Sequence, residues 1–337
     1  MEIPGDYLEG GGQILRTSLA LSCILRKPTR IYNIRAKRPN PGLQAQHFAV
    51  IKALKDITEA RVEGFSLRSG EIKFSPSEIR SKDLNIDIKT AGSIGLLLQS
   101  LIPVSAFSPN GISARIKGGT TGKAAIPIEY YPAVIIPILK KIGIDIRLNL
   151  IKRGYYPKGG GEIEVQILPT RRLFPLNLTE RGRIIRIKGI SHSHKELRNR
   201  GVSERQRKSA LEILKKRFNC PIEILCEYSD ALSLGSGIVI WAETEKEAIL
   251  EADAIGEKGK PAEDIGRQAA EKLIREIESN APVDTHLADN LIIYLGLTGG
   301  KIKVSNFSLH TQTNIWIVEK FLGKKFLIKE NTISYLK

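Results

Sequence analysis

Two segments at opposite ends of the chain carry the residue types that phosphate chemistry needs. Glu9-Gly10-Gly11-Gly12-Gln13-Ile14-Leu15-Arg16 runs three glycines straight into a helix-like segment. Backbone amides left open at a helix N-terminus make a natural phosphate site. The Glu9 carboxylate could bind a metal ion carrying nucleotide phosphates, and Arg16, one turn in, could hold another phosphate. A tight turn explains the glycines equally well. Leu309-His310-Thr311-Gln312-Thr313-Asn314 reads as a loop leading from strand to helix. Histidine is a plausible nucleophile because much of it is unprotonated at neutral pH. Attack on the α-phosphate of ATP would give a phosphoramidate still reactive enough to pass AMP onward. The surrounding hydroxyls and amides could fix its tautomer, although a lone histidine in a polar loop is also commonly an ordinary one.

Other segments are weaker alone. Arg35-Ala36-Lys37-Arg38-Pro39-Asn40-Pro41 makes a stiff basic loop suited to phosphate capture, and Gln46 and His47 then begin a helix. Gly118-Gly119-Thr120-Thr121-Gly122-Lys123 is no P-loop: Lys117 stands where the first glycine belongs and Ala124 where a Mg²⁺-binding hydroxyl belongs. No lysine sits in the Lys-x-Asp-Gly setting of lysine-adenylating ligases, so adenylyl transfer would need another nucleophile. Ser191-His192-Ser193-His194 has metal-ligand potential but reads better as an exposed turn. His286 precedes Leu287-Ala288-Asp289-Asn290, where Asp289 could be only a first-turn acid favoured by the helix dipole. Arg153–Gly161 reads as a glycine-rich turn between strands.

These residues must be positioned by a large chain. Its 337 residues are 42% apolar, enough for two domains or for one domain with an insertion. The net charge of +16 implies a polyanionic partner, with simple solubility as the alternative. Three scattered cysteines exclude a disulfide framework and point to a reducing compartment. The N-terminus lacks a signal-peptide pattern, and the apolar runs at 96–107 and 130–138 are too short to span a bilayer. A cytoplasmic protein is expected, and one methionine with abundant Ile, Lys and Arg suggests a thermophile.

Helix-like segments followed by strands begin at Ala49, Ala133 and Ile315, with Ile57, Ile142 and Phe321 in matching places. The steps are 85 and 179 residues, the second longer by 94, as three tandem units with one insertion would give. Each unit has an earlier helix (13–25, 92–106, 287–296) and strand (29–35, 112–117, 301–306). The loops Arg35–Gln46, Gly118–Pro127 and Ser305–Thr313 then occupy equivalent positions and could converge. The expected insertion spans 181–279, between parts at 1–180 and 280–337. It should hold a cation-rich helix over 203–218, opened by a Ser203/Gln206 capping box. A second helix should follow Pro261 and bury Ile265, Ala269, Leu273 and Ile277.

Taken together, the motifs resemble the RNA 3′-terminal phosphate cyclase family along essentially the whole chain. They include Glu9–Arg16, Pro41-Gly42-Leu43, Gln46-His47, Ala91-Gly92-Ser93, Arg153–Pro157, Gly256–Gly259, His286–Asp289 and His310–Thr313. The resemblance implies an α/β (α+β) fold of three units, each two helices on a four-stranded sheet and related to enolpyruvyl transferases, plus a smaller α/β insert. It also implies ATP-dependent closure of an RNA 3′-phosphate to a 2′,3′-cyclic phosphate, through a histidine–AMP intermediate and an RNA-adenylate. By the same resemblance, His310 is the nucleophile and Glu9 holds the divalent metal (Mg²⁺ or Mn²⁺). Arg16, Arg35, Arg38, Gln46 and His47 would surround the phosphates of ATP or the RNA end. Gln99 and residues His286, Leu287, Ala288, Asp289 and Asn290 would contact the nucleotide, with His286 and Pro127 sandwiching adenine. Asn290 stands where the family commonly has glutamine. The rivals are a non-catalytic cyclase-like RNA-binding protein of ribosome assembly, which would lack the histidine, and an enolpyruvyl transferase. The partners expected are ATP and RNA with a 3′-phosphate, without a membrane; the oligomeric state stays open, a homodimer included.

Overall fold

The computed structural model describes residues 1–123 and 125–336. One strand–helix–strand–helix–strand–strand order opens the chain: β1 (Glu2–Pro4), α1 (Gly12–Leu25), β2 (Thr29–Tyr32), α2 (Ala45–Thr58), β3 (Arg61–Glu63) and β4 (Ile72–Ser75). The same order follows in β5 (Leu84–Asp87), α3 (Ile94–Ser105), β6 (Ile112–Gly118), α4 (Ile136–Lys141), β7 (Ile146–Lys152) and β8 (Gly161–Ile167); a π-helical turn over Tyr131–Ile135 leads into α4. It recurs, interrupted, beginning with β9 (Leu176–Leu178) and resuming at Thr285. The interrupting segment holds β10 (Ile184–His194), α5 (Val202–Arg217), β11 (Ile222–Ser229), β12 (Ser236–Thr244), β13 (Ile249–Ile255) and α6 (Ala262–Glu278). The chain then closes with α7 (Thr285–Thr298), β14 (Gly300–Lys303), α8 (Leu309–Leu322), β15 (Leu327–Lys329) and β16 (Thr332–Tyr335).

The protein is α+β, with four four-stranded sheets among the described residues. Three share one pattern: β1-β2-β4-β3, β5-β6-β8-β7 and β9-β14-β16-β15, the first pair parallel and the other two antiparallel. The parallel pair demands a crossover helix, here α1, α3 or α7. The fourth sheet runs β11-β10-β12-β13. One hydrophobic core gathers side chains from Ile3 to Leu178 and from Val283 to Tyr335; a second gathers side chains from Ile187 to Ile277. Helix α1 packs on α2, α3 and α8, so its N-terminus lies among those of other helices. No helix among the described residues is long and apolar enough to cross a membrane.

Several local expectations need correction. The strand from Thr29 stops at Tyr32 because Asn33 and Arg35 take left-handed φ of 53° and 55°. The strand at 301–306 is confined to Gly300–Lys303. His310 is not in a loop: Ser308 caps α8 through the Thr311 amide, so His310 belongs to the first helical turn. The Ser203/Gln206 capping box does not form. Both side chains are buried and bond elsewhere, Ser203 to Ser193 and Gln206 to Ser191 and Ser236, while Gly201 begins the helix. His192 and His194 are buried on β10 rather than in an exposed turn. His192 Nδ1 meets the Tyr155 hydroxyl at 2.9 Å, and burial with nearby Arg153 holds the imidazole neutral. Helix α6 does bury Ile265, Ala269, Leu273 and Ile277.

Helices α5 and α6 approach so closely that a Cβ at Gly266 would stand 2.0 Å from the Gln206 carbonyl oxygen. Glycine in a helix ordinarily costs about 1 kcal/mol relative to alanine. Here the sign reverses: Gly266→Ala should destabilise by about 1–3 kcal/mol through forced separation of the helices. Denaturation followed by fluorescence of Trp241, in the adjoining sheet, measures this; a stabilised variant would contradict the close approach.

Candidate active site

The site begins at the bare N-terminus of α1. Gly11 supplies no capping side chain, so the first amides of the helix stay open. Gly12 is needed because a Cβ there would lie 2.2 Å from His47 Nε2. One ring nitrogen of His47 is engaged by its own helix: its Nδ1 accepts the Gln44 amide at 3.0 Å, closing a capping box on α2. Burial, with Arg16 and Arg35 nearby, pushes its pKa down to about 3, so the ring is neutral and its proton sits on Nε2. That buried Nε2 has no partner among the described residues and faces the glycine turn.

His310 meets this turn from α8. Its Nδ1 contacts Gln13 Oε1, while Gln13 Nε2 donates to the His310 carbonyl at 2.8 Å. The second bond fixes the carboxamide, so its oxygen can only accept, and the imidazole proton must be on Nδ1. Nε2 therefore keeps a free lone pair. Burial lowers the His310 pKa; Arg16, Arg38 and His286 lower it further, against the opposing Asp289. The imidazole is thus unprotonated at neutral pH.

The helix starts are stitched together around it. Asp289 on α7 accepts from Ser308 and Thr311, each at 2.6 Å, and Asn314 donates to the Asp289 carbonyl at 2.6 Å. Thr17 on α1 donates to Asn314 at 2.8 Å. Arg16 donates to Gln99 at 3.0 Å, Gln99 to Asn290 at 3.1 Å, and Asn290 to the His286 carbonyl at 2.8 Å. Burial pushes the Arg16 pKa down to about 10, which leaves it charged. Arg38 pairs with Glu9 Oε1 and also donates to the Glu9 carbonyl at 3.0 Å.

Two adjoining clefts meet at His310. One, of about 320 Å³, is lined by the α1 turn, Glu9, Arg16, Arg35, Arg38 and Gln46; the other, of about 550 Å³, by Gln99, His286, Asp289 and Asn290. Gln13, Arg16, Lys123 and His310 line both. The first is shaped and charged for phosphates, the second for a less charged group. Glu9 Oε2 is buried without a hydrogen-bond partner, 3.9 Å from His310 Nδ1, which fits a single carboxylate ligand to a divalent cation. Among the described residues no cluster of three metal-ligating side chains exists, so a cation there would need oxygens from a bound phosphate or water.

Eleven of the fourteen residues singled out from the sequence are brought together here or, for His47, directly behind the turn. Pro127, Leu287 and Ala288 are buried and do not line either cleft. Sequence reasoning missed the role of Gln13, although its place after the glycines was a usable signal. It also missed Lys123, and Asp253, Gln268 and Lys272, which reach the second cleft from the β13 and α6 side. Lys123 lies in the Gly118–Pro127 loop expected to converge, whereas nothing in the local sequence marks Asp253, Gln268 or Lys272.

The sequence model of the family described as RNA 3′-terminal phosphate cyclase matches residues 7–328. A protein of Pyrococcus furiosus named RNA 3′-terminal phosphate cyclase is 46% identical over 327 residues, 97% of this chain and 94% of its own length. Proteins of the same name from Thermococcus kodakarensis (46%, covering 98% of this chain and 94% of the relative) and Pyrobaculum neutrophilum (43%, covering 100% and 97%) are similar.

His310 should titrate below the ordinary histidine value of about 6.5 and populate the Nδ1–H tautomer. Arg38→Gln should move the titration upward, since it removes a cation and frees the Glu9 charge. Histidine ¹⁵N and ¹H NMR, assigned by the signal lost in His310→Ala, reads both; an Nε2–H tautomer in the parent would refute the geometry.

Proposed function

The chain belongs to the RNA 3′-terminal phosphate cyclase family, and on that premise we propose that it uses ATP to close an RNA 3′-phosphate into a 2′,3′-cyclic phosphate through a His310–AMP intermediate. The observation that carries this reading is the free Nε2 of His310, its partner nitrogen occupied by Gln13, at the junction of the two clefts.

In the first step the Nε2 lone pair attacks the α-phosphorus of ATP and pyrophosphate leaves. Positive charge developing on the imidazole is shared through Nδ1–H with Gln13 and the nearby Glu9 carboxylate. Arg16, Arg35, Arg38 and the open amides of α1 are suited to the phosphate oxygens, and phosphoryl transfer needs little more than such positioning and charge. Glu9 would hold a divalent cation, which on binding neutralises phosphate charge. An oxygen of the RNA 3′-phosphate then attacks the adenylyl phosphorus, breaking the P–N bond and restoring neutral His310. Finally the 2′-oxygen attacks the activated 3′-phosphorus, its proton is lost, and AMP departs. This last step is intramolecular, so holding the terminal ribose supplies much of its rate.

The nucleoside is assigned to the cleft beside His286, Gln99 and Asn290, a reading supported by its volume of about 550 Å³ and by its opening onto His310. Residues 181–279 read as a smaller domain inserted between 1–180 and 280–337, supported by their separate core. A reducing, cytoplasmic setting agrees with three free cysteines.

Incubation with α-labelled ATP and a divalent cation should yield an acid-labile, alkali-stable adduct. His310→Ala should abolish it, and Gln13→Ala should slow its formation by roughly 10–100-fold by releasing the tautomer. The labelling rate should fall as pH is lowered, with its midpoint below the ordinary histidine value of about 6.5, because burial and the nearby cations disfavour a proton on His310. Full labelling of His310→Ala would overturn the assignment.

A further inference from the structure

The turn that bears Glu9 and the helix start that bears His310 also expose apolar surface. Tyr7, Leu8 and Leu309 are 40%, 43% and 57% exposed, and the two leucines are the immediate chain neighbours of Glu9 and His310. Leu8 takes a left-handed φ of 45°, a conformation that costs a leucine energy, and its side chain is only partly buried. Tyr7 lies stacked on Trp316 of α8, ring centroids 4.2 Å apart and planes inclined by 24°. Its ring is therefore held in a defined pose while much of its surface stays open.

Cations border this ledge. Lys37 donates to the Asp6 carbonyl at 3.0 Å, and Lys320 lies 5.9 Å over the Trp316 ring. An anchored aromatic ring, flanking cations and apolar residues that directly precede the cleft-lining Glu9 and His310 match one chemistry well. Single-stranded nucleic acid offers flat apolar bases on an anionic backbone, and proteins bind it with stacking platforms in positive grooves. A second copy of this chain matches poorly. A two-fold contact would bring two copies of this cation-bordered ledge together, with a net +16 on each chain.

We infer that the Tyr7–Leu8–Leu309 ledge docks the last unpaired nucleotides of the RNA strand, one base stacking on Tyr7 while Lys37 and Lys320 meet flanking phosphates. The inference rests on the function proposed above and adds to it a subsite outside the nucleotide clefts. Stacking is tolerant of base identity, so ends of any sequence are accepted, but a base held in a duplex cannot reach the ring.

The test uses the full-length protein and a single-stranded oligoribonucleotide ending in a 3′-phosphate. Tyr7→Ala should leave self-adenylylation by ATP within about twofold and raise KM for the RNA roughly tenfold, as expected for one lost stack. Tyr7→Phe should behave as the parent. An oligonucleotide lacking the terminal or penultimate base should weaken the parent by the same factor, with Tyr7→Ala adding no further loss. An unchanged KM in Tyr7→Ala overturns the inference. So does an equal loss of adenylylation, which would make Tyr7 a structural prop for Trp316, or a dimer in sedimentation that Tyr7→Ala dissociates. If the parent fails to adenylylate itself, the proposed function falls separately, and fluorescence-anisotropy binding of the same oligonucleotide still decides the ledge.

Discussion

The paired hydrogen bonds between Gln13 and His310 join residues 297 positions apart, and the site depends on them. Each residue lies in the first turn of its helix, so the bonds exist only because α1 and α8 pack with their N-termini level. One bond orients the carboxamide; the other then has no choice but to accept the imidazole proton. Geometry thereby fixes which nitrogen is nucleophilic. A slip of one residue between the two helices would rotate Gln13 away by about 100° and lose both bonds.

Electrostatics works in the same direction. Burial and the cations Arg16 and Arg38 both disfavour a proton on His310, while His47 is held neutral behind the turn. The cleft therefore concentrates positive charge without protonating its own nucleophile. Glu9 moderates that charge through Arg38, and its second oxygen is left unpaired. The excess of cations over the whole chain extends the same bias to the surroundings, favouring capture of polyanions over long range.

The second cleft lies where the two hydrophobic cores adjoin. His286, Asp289 and Asn290 come from α7, whereas Asp253, Gln268 and Lys272 come from the strand and helix of the other core. The Lys123–Glu257 pair at 3.2 Å bridges the two sides, and being exposed it adds little stability. Any relative movement of the cores would alter this cleft more than the phosphate cleft, whose lining comes from the larger core.

Local order and periodicity were legible in the sequence: the helices of α1, α3 and α6, the repeated order of elements, and the glycines that bare the α1 amides. These follow from side-chain spacing and backbone freedom within a few residues, which the chain carries wherever it folds. His310 was legible as a candidate, but its place in a helical turn was not, since the Ser308 cap overrode the loop-like composition. The burial of His192 and His194 was equally hidden, because Ser-His-Ser-His is polar by composition and is covered only once β10 pairs within its sheet. The tautomer of His310, the lowering of its pKa, and the meeting of Gln13 with Asp289 and Asn314 were decided by tertiary structure alone. They depend on dielectric, distant charges and hydrogen bonds between helices hundreds of residues apart, none of which a local pattern encodes.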